Sequence, residues 1–66
     1  MEIIINGEPL SVKDGLTAAG LVASLDLSGR RYAMEINGEL LPKSKHAEHE
    51  LIPGDRIEIV HAVGGG

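Results

Sequence analysis

Two Asn-Gly pairs, Asn6-Gly7 and Asn37-Gly38, constrain this chain more than any other feature. Both central residues of a type I′ turn need φ > 0, which Asn and Gly tolerate, and that turn joins antiparallel strands through two residues. Each pair lies in the same string, Ile-Asn-Gly-Glu-x-Leu, at Ile5 to Leu10 and again at Ile36 to Leu41. Two copies are too few for a stacked-repeat architecture. They read as two hairpins with one solution to the same turn.

The rest of the chain fits around these hairpins. Met1 to Lys13 forms the first, with Ile3-Ile4-Ile5 as a β-branched strand. Leu10 and Val12 alternate with Ser11 and Lys13 in its second arm. Pro9 donates no ladder hydrogen bond, so that arm belongs at a sheet edge. A helix is predicted over Thr17 to Leu25. The Thr17 hydroxyl caps it, Leu16 and Leu21 staple its start, and Ala18, Leu21, Val22 and Leu25 make its apolar stripe. Ser28-Gly29 breaks the pattern. Tyr32 to Ile36 and Glu39 to Leu41 form the second hairpin, with Met34 and Ile36 on one face and Ala33 and Glu35 on the other. Pro42 to Glu50 is polar and reads as a short helix or irregular turn, after which Leu51 and Ile52 re-enter the core. Pro53-Gly54-Asp55 is a turn, and Arg56 to Val63 is the last strand. Ile57 and Ile59 share one face of it; Glu58, Val60 and Ala62 share the other.

One helix covers only one face of a sheet. The expected fold is therefore α+β, a β-grasp: a mixed sheet with one main helix on one face and the first and last strands adjacent and parallel at its centre. Residues 1–63 form the domain and 64–66 a flexible glycine tail. Leu21, Leu25, Ile3, Ile5, Met34, Ile36, Ile57 and Ile59 are the expected core. A chain of 66 residues allows no second core.

Composition excludes several functions. Six Lys and Arg against ten Asp and Glu give a net charge of −4, which argues against a grip on nucleic acid or an anionic membrane. There is no cysteine, so no disulfide, thiolate metal site or thiol nucleophile. The longest apolar run is Ile3-Ile4-Ile5, too short for a membrane span or a signal-peptide core. The expectation is a soluble cytoplasmic protein, monomeric when free. His46, His49 and Glu50 are close in sequence, yet a stable zinc site needs three or four ligands, and the segment reads as solvated, with no metal expected. His61 stands next to the tail and reads as exposed or packed at a strand end. Lys13, Lys43, Lys45 and Arg30-Arg31 are scattered among acids and read as solvated charge. No phosphate loop and no serine nucleophile motif occurs.

The terminus is the most informative stretch for function. Gly64-Gly65-Gly66 follows a strand directly, with no side chain to obstruct a narrow channel. Four residues after Ala62 reach about 13 Å when extended, enough to carry a carboxylate into a partner's cleft. The uncovered sheet face beside it, with apolar Ile4, Val60 and Ala62 and acidic Glu35 and Glu58, is the expected partner-binding surface.

With these features the chain resembles the ubiquitin-like sulfur carriers, and within them the ThiS family of thiamine biosynthesis. The residues that carry the resemblance are Ile3 to Glu8, the helix from Thr17, Ala33 to Glu39, Pro53 to Val60 and the ending Ala62-Val63-Gly64-Gly65-Gly66. His46 departs from the larger aromatic expected in many relatives. The resemblance implies that Gly66 is the reacting end and that Gly64 and Gly65 give it entry to the partner. An adenylyltransferase of the ubiquitin-activating-like family would use MgATP to make a glycyl adenylate. A sulfur donor such as a cysteine desulfurase would then yield the thiocarboxylate (1-thioglycine), and thiazole synthase would receive the sulfur. The chain itself would be a cosubstrate and not an enzyme, with no catalytic residue and no bound cofactor. Two alternatives stay open: another glycine-tailed carrier or modifier, serving molybdopterin synthesis, tRNA thiolation or lysine conjugation, and a plain interaction domain.

Overall fold

The computed structural model describes residues 1–27 and 29–61. Its elements are β1 (Glu2–Ile5), β2 (Glu8–Ser11), α1 (Ala18–Ser24), β3 (Tyr32–Ile36), β4 (Glu39–Leu41) and β5 (Arg56–His61), with a 3-10 turn at Lys43–Lys45. The strands form one sheet in the order β2-β1-β5-β3-β4. β1 and β5 are parallel neighbours at its centre and the other pairs are antiparallel. This is the β-grasp expected from the sequence.

Both hairpins turn as their Asn-Gly pairs require. Asn6 and Gly7 have φ of 49° and 84°; Asn37 and Gly38 have 53° and 86°. A two-residue turn makes Ile5 and Glu8 a hydrogen-bonded pair, and bonded and non-bonded pairs alternate along an antiparallel ladder. Ile4 and Pro9 are therefore a non-bonded pair, and the Pro9 nitrogen faces away from β1. The same alternation makes Met1 and Val12 a bonded pair, and they exchange bonds of 2.6 and 2.8 Å. The missing N–H of Pro9 costs the ladder nothing and leaves the free edge of β2 short of a donor.

The Thr17 side chain accepts from Gly20 N–H at 3.1 Å, capping α1 as expected. Two further N–H groups at the helix start, those of Ala18 and Ala19, donate to the carbonyls of His49 and His46 at 2.9 and 3.0 Å. The 46–51 segment is thus tied across the start of α1, and Leu51 N–H completes the tie by donating to Leu16 O at 2.9 Å.

The helix ends earlier than its apolar stripe suggests. Leu25 caps it, and Asp26 takes φ of 59°. Asp26 N–H donates to Ala23 O and Leu27 N–H to Val22 O, the two bonds of a Schellman motif. That reversal leaves Leu25 37% exposed and swings Leu27 into the core, so Leu27 replaces Leu25. Ile52 also departs from expectation: it is 61% exposed, because the Asp55 carboxylate holds its N–H at 2.9 Å in the turn while Leu51 takes the core position.

The core lies between the sheet and α1. It contains Ile3, Ala18, Leu21, Val22, Leu27, Met34, Ile36, Leu51, Ile57 and Ile59, with Ile5 half-buried at its border. Among the described residues no helix is long and apolar enough to cross a membrane.

Candidate functional site

The strand that leads to the glycine tail is the most firmly held in the sheet. β3 pairs with β5 along its whole length, from Tyr32 opposite His61 to Ile36 opposite Ile57. On the other flank β1 covers only the start, with Ile4 opposite Arg56 and Ile5 opposite Ile57. Beyond that point the Asn6 side chain stands in for the missing strand: its Oδ1 accepts from Ile59 N–H at 2.9 Å. Asn37 acts at the other end, its Oδ1 accepting from Arg56 N–H at 3.0 Å. The repeated motif therefore serves twice over. Each asparagine makes its own turn and grips the backbone of β5.

Asn37 also donates through Nδ2 to Asp55 Oδ1 at 3.0 Å, and Asp55 Oδ2 accepts from Ile52 N–H. Asp55 is buried, at 5% exposure, and both its carboxylate oxygens are satisfied by these bonds. A buried polar group without partners is costly, so this network fixes the turn that feeds β5.

Strand alternation puts Ile4 of β1, Glu35 of β3, and Arg56, Glu58 and Val60 of β5 on the sheet face opposite α1. All four described members of the expected partner surface share that face; Ala62 lies outside the described residues. They do not form one apolar strip. Ile4 is half-buried beside Arg56, Glu58 pairs with Glu35, and Val60, 56% exposed, pairs with Ala33. Leu40, opposite Glu35 and 66% exposed, adds an apolar side chain to the face that sequence reasoning did not assign to it. The hairpin register contained that signal: a two-residue turn after Ile36 places Leu40 against Glu35.

The expected reacting end, Gly66, and the entry residues Gly64 and Gly65 lie outside the described residues.

His46 is buried rather than solvated, at 5% exposure. Its Nε2 is 3.1 Å from Leu41 O, so Nε2 carries the hydrogen and donates. Nδ1 then accepts from the Tyr32 hydroxyl at 3.2 Å. Both ring nitrogens are used in packing the 46–51 segment against β3 and β4. Among the described residues no three His, Asp or Glu side chains are grouped to hold a metal ion.

Comparison with known proteins places this arrangement. The chain is 38% identical over 66 residues to a thiazole synthase of Paramagnetospirillum magneticum, covering 100% of this chain and 20% of that protein. It thus spans a fifth of that relative's length. It is 41% identical over 63 residues to the sulfur carrier protein ThiS of Bacillus subtilis, covering 94% of this chain and 96% of that one. The crystal structure of a thiamine biosynthesis protein (ThiS) from Geobacter metallireducens superposes with a TM-score of 0.86 at 28% identity, each chain covered in full. The profile of the ThiS family matches residues 3–66, the two asparagine clamps, β5 and the glycine run included. On sequence and fold together, the chain belongs to the ThiS family.

Proposed function

We propose that the chain is a sulfur carrier of thiamine biosynthesis, acting as a cosubstrate and not as a catalyst. The observation that carries this reading is its similarity over 94% of the chain to a protein named as a sulfur carrier, with the family match running through Gly66. A carboxylate is a poor electrophile, so the Gly66 carboxylate oxygen attacks the α-phosphorus of MgATP in an adenylating partner, and pyrophosphate leaves. Sulfur then displaces AMP at the carbonyl carbon: sulfide gives the thiocarboxylate directly, whereas a donor's persulfide gives an acyl disulfide that a second thiol reduces to the thiocarboxylate, that thiol leaving as a disulfide with the donor. The relative named as a thiazole synthase contains a matching segment within its own chain, which supports a thiazole synthase as recipient. We assign the face with Ile4, Glu35, Glu58, Val60 and Ala62 to these partners.

This reading requires a free carboxylate at Gly66. Intact mass of the isolated protein tests that requirement. Incubation with the adenylating enzyme, MgATP and a sulfur source then gives the mass gain of one oxygen exchanged for sulfur. An unchanged mass with a competent enzyme overturns the reading.

A further inference from the structure

Two of the cations that look scattered in the sequence, Arg31 and Lys43, meet in the fold. With His61, Tyr32, Ala33 and Val60 they line a shallow depression at the end of the sheet. The depression lies where β5 ends, since His61 is opposite Tyr32. Lys43 is held at its rim: Nζ is 4.6 Å from the centre of the Tyr32 ring and 3.5 Å from Arg30 O. Among the described residues no carboxylate lines it, and none forms an ion pair with Arg31 or Lys43. Further along the face that carries Ala33 and Val60 the surroundings change sign, with Glu35 and Glu58 beside Arg56. A chain of net charge −4 therefore presents a basic collar at the root of its tail.

Resting on the carrier reading above, we propose that this collar docks against an acidic rim at the mouth of the partner cleft that admits residues 62–66. The occupant is a partner surface with carboxylates around an apolar side chain, the side chain seated on Ala33 and Val60. Two observations set this choice. Five residues separate His61 from the end of Gly66, a span of about 17 Å when extended. Nucleotide phosphates must sit at the reacting carboxylate, so an extended tail leaves them far from the collar, and what meets the collar is the protein around the cleft. Second, Val60 lines the depression and is 56% exposed, so the depression offers apolar contact as well as charge. Exposed charge pairs add little affinity. Rim charges instead set the association rate and its salt dependence, and so the orientation in which a tail arrives.

The test is ATP–pyrophosphate exchange by the adenylating enzyme, measured against carrier concentration for the wild type, Arg31→Glu and the Arg31→Glu/Lys43→Glu pair. Arg31→Glu leaves Lys43 over Tyr32, so it keeps that packing contact. The expected result is a KM raised about tenfold or more by the pair at low ionic strength, with kcat unchanged. The difference should shrink with added salt as the Debye length falls from about 30 to about 8 Å. Unaltered KM in a carrier that is adenylated overturns the collar and leaves the carrier reading standing. A fall in kcat at constant KM, or a KM change indifferent to salt, also overturns the collar. No exchange by the wild type overturns the carrier reading, and the collar with it.

Discussion

Asn6 Oδ1 and Ile59 N–H are hydrogen-bonded at 2.9 Å across a sequence separation of 53 residues. The bond continues the β1 flank of β5 past the end of β1. It also separates two roles of one residue. Asn6→Gly keeps the left-handed turn conformation and removes the acceptor, whereas Asn6→Asp keeps the acceptor. We expect Asn6→Gly to lower stability by about 0.5–1.5 kcal/mol and to speed hydrogen exchange at the Ile59 amide. Asn6→Asp should stay near wild type. Equal exchange protection in Asn6→Gly would show the bond to be idle.

Asn37 gives the opposite result to the same substitution. Its Nδ2 donates to Asp55 Oδ1 at 3.0 Å, so Asn37→Asp sets a second carboxylate against buried Asp55. A donor is lost and like charges oppose each other. Urea unfolding should show a loss of at least about 1–3 kcal/mol at neutral pH. If Asn37→Asp is as well tolerated as Asn6→Asp, the Asp55 network does not hold the turn.

At the end of α1 the side chains trade places. Leu27→Ala should cost about 2–5 kcal/mol, since Leu27 is only 7% exposed. Leu25→Ala should cost less than half of that, with 37% of Leu25 already in water. Thermal or urea unfolding of the two variants decides the order, and a reversed order would contradict the early helix stop.

The carrier reading makes a prediction at the tail. Deleting Gly66 moves the carboxylate back by about 3.5 Å, and misplacement of about 1 Å can lower a rate on the order of a hundredfold. Gly65→Val adds a branched side chain where the channel must be narrow. Both variants should fold as the wild type does, by circular dichroism, and fail in ATP–pyrophosphate exchange. Near wild-type exchange by either would move the interaction-domain reading to first place.

Most of the sheet is legible in the sequence because its signals are local. Asn-Gly pairs set their own turns, Pro9 marks an edge by what it lacks, and alternation in β3 and β5 sorts the two faces. What is not legible depends on contacts from elsewhere. The stop of α1 rests on Asp26 adopting φ of 59°, which no apolar stripe announces. His46 is buried because Tyr32 and Leu41 offer it partners from another element. Ile52 is exposed because Asp55, three residues on, takes its N–H. At the site, the acidic face follows from alternation, but the basic collar does not. Lys43 reaches Tyr32 and Arg30 through the β3–β4 hairpin, and His61 joins them only when β3 pairs with β5.

The central place of β5 has a mechanical consequence. A tail attached to an edge strand could be peeled from its sheet one bond at a time when something pulls on it. Here tension on the tail runs along a strand gripped on both flanks, by β3 throughout and by β1 and Asn6 on the other side. The ladders are then loaded in shear, and many bonds must yield together. On the carrier reading, a partner that drew the chain end into a tight channel would leave the domain folded outside.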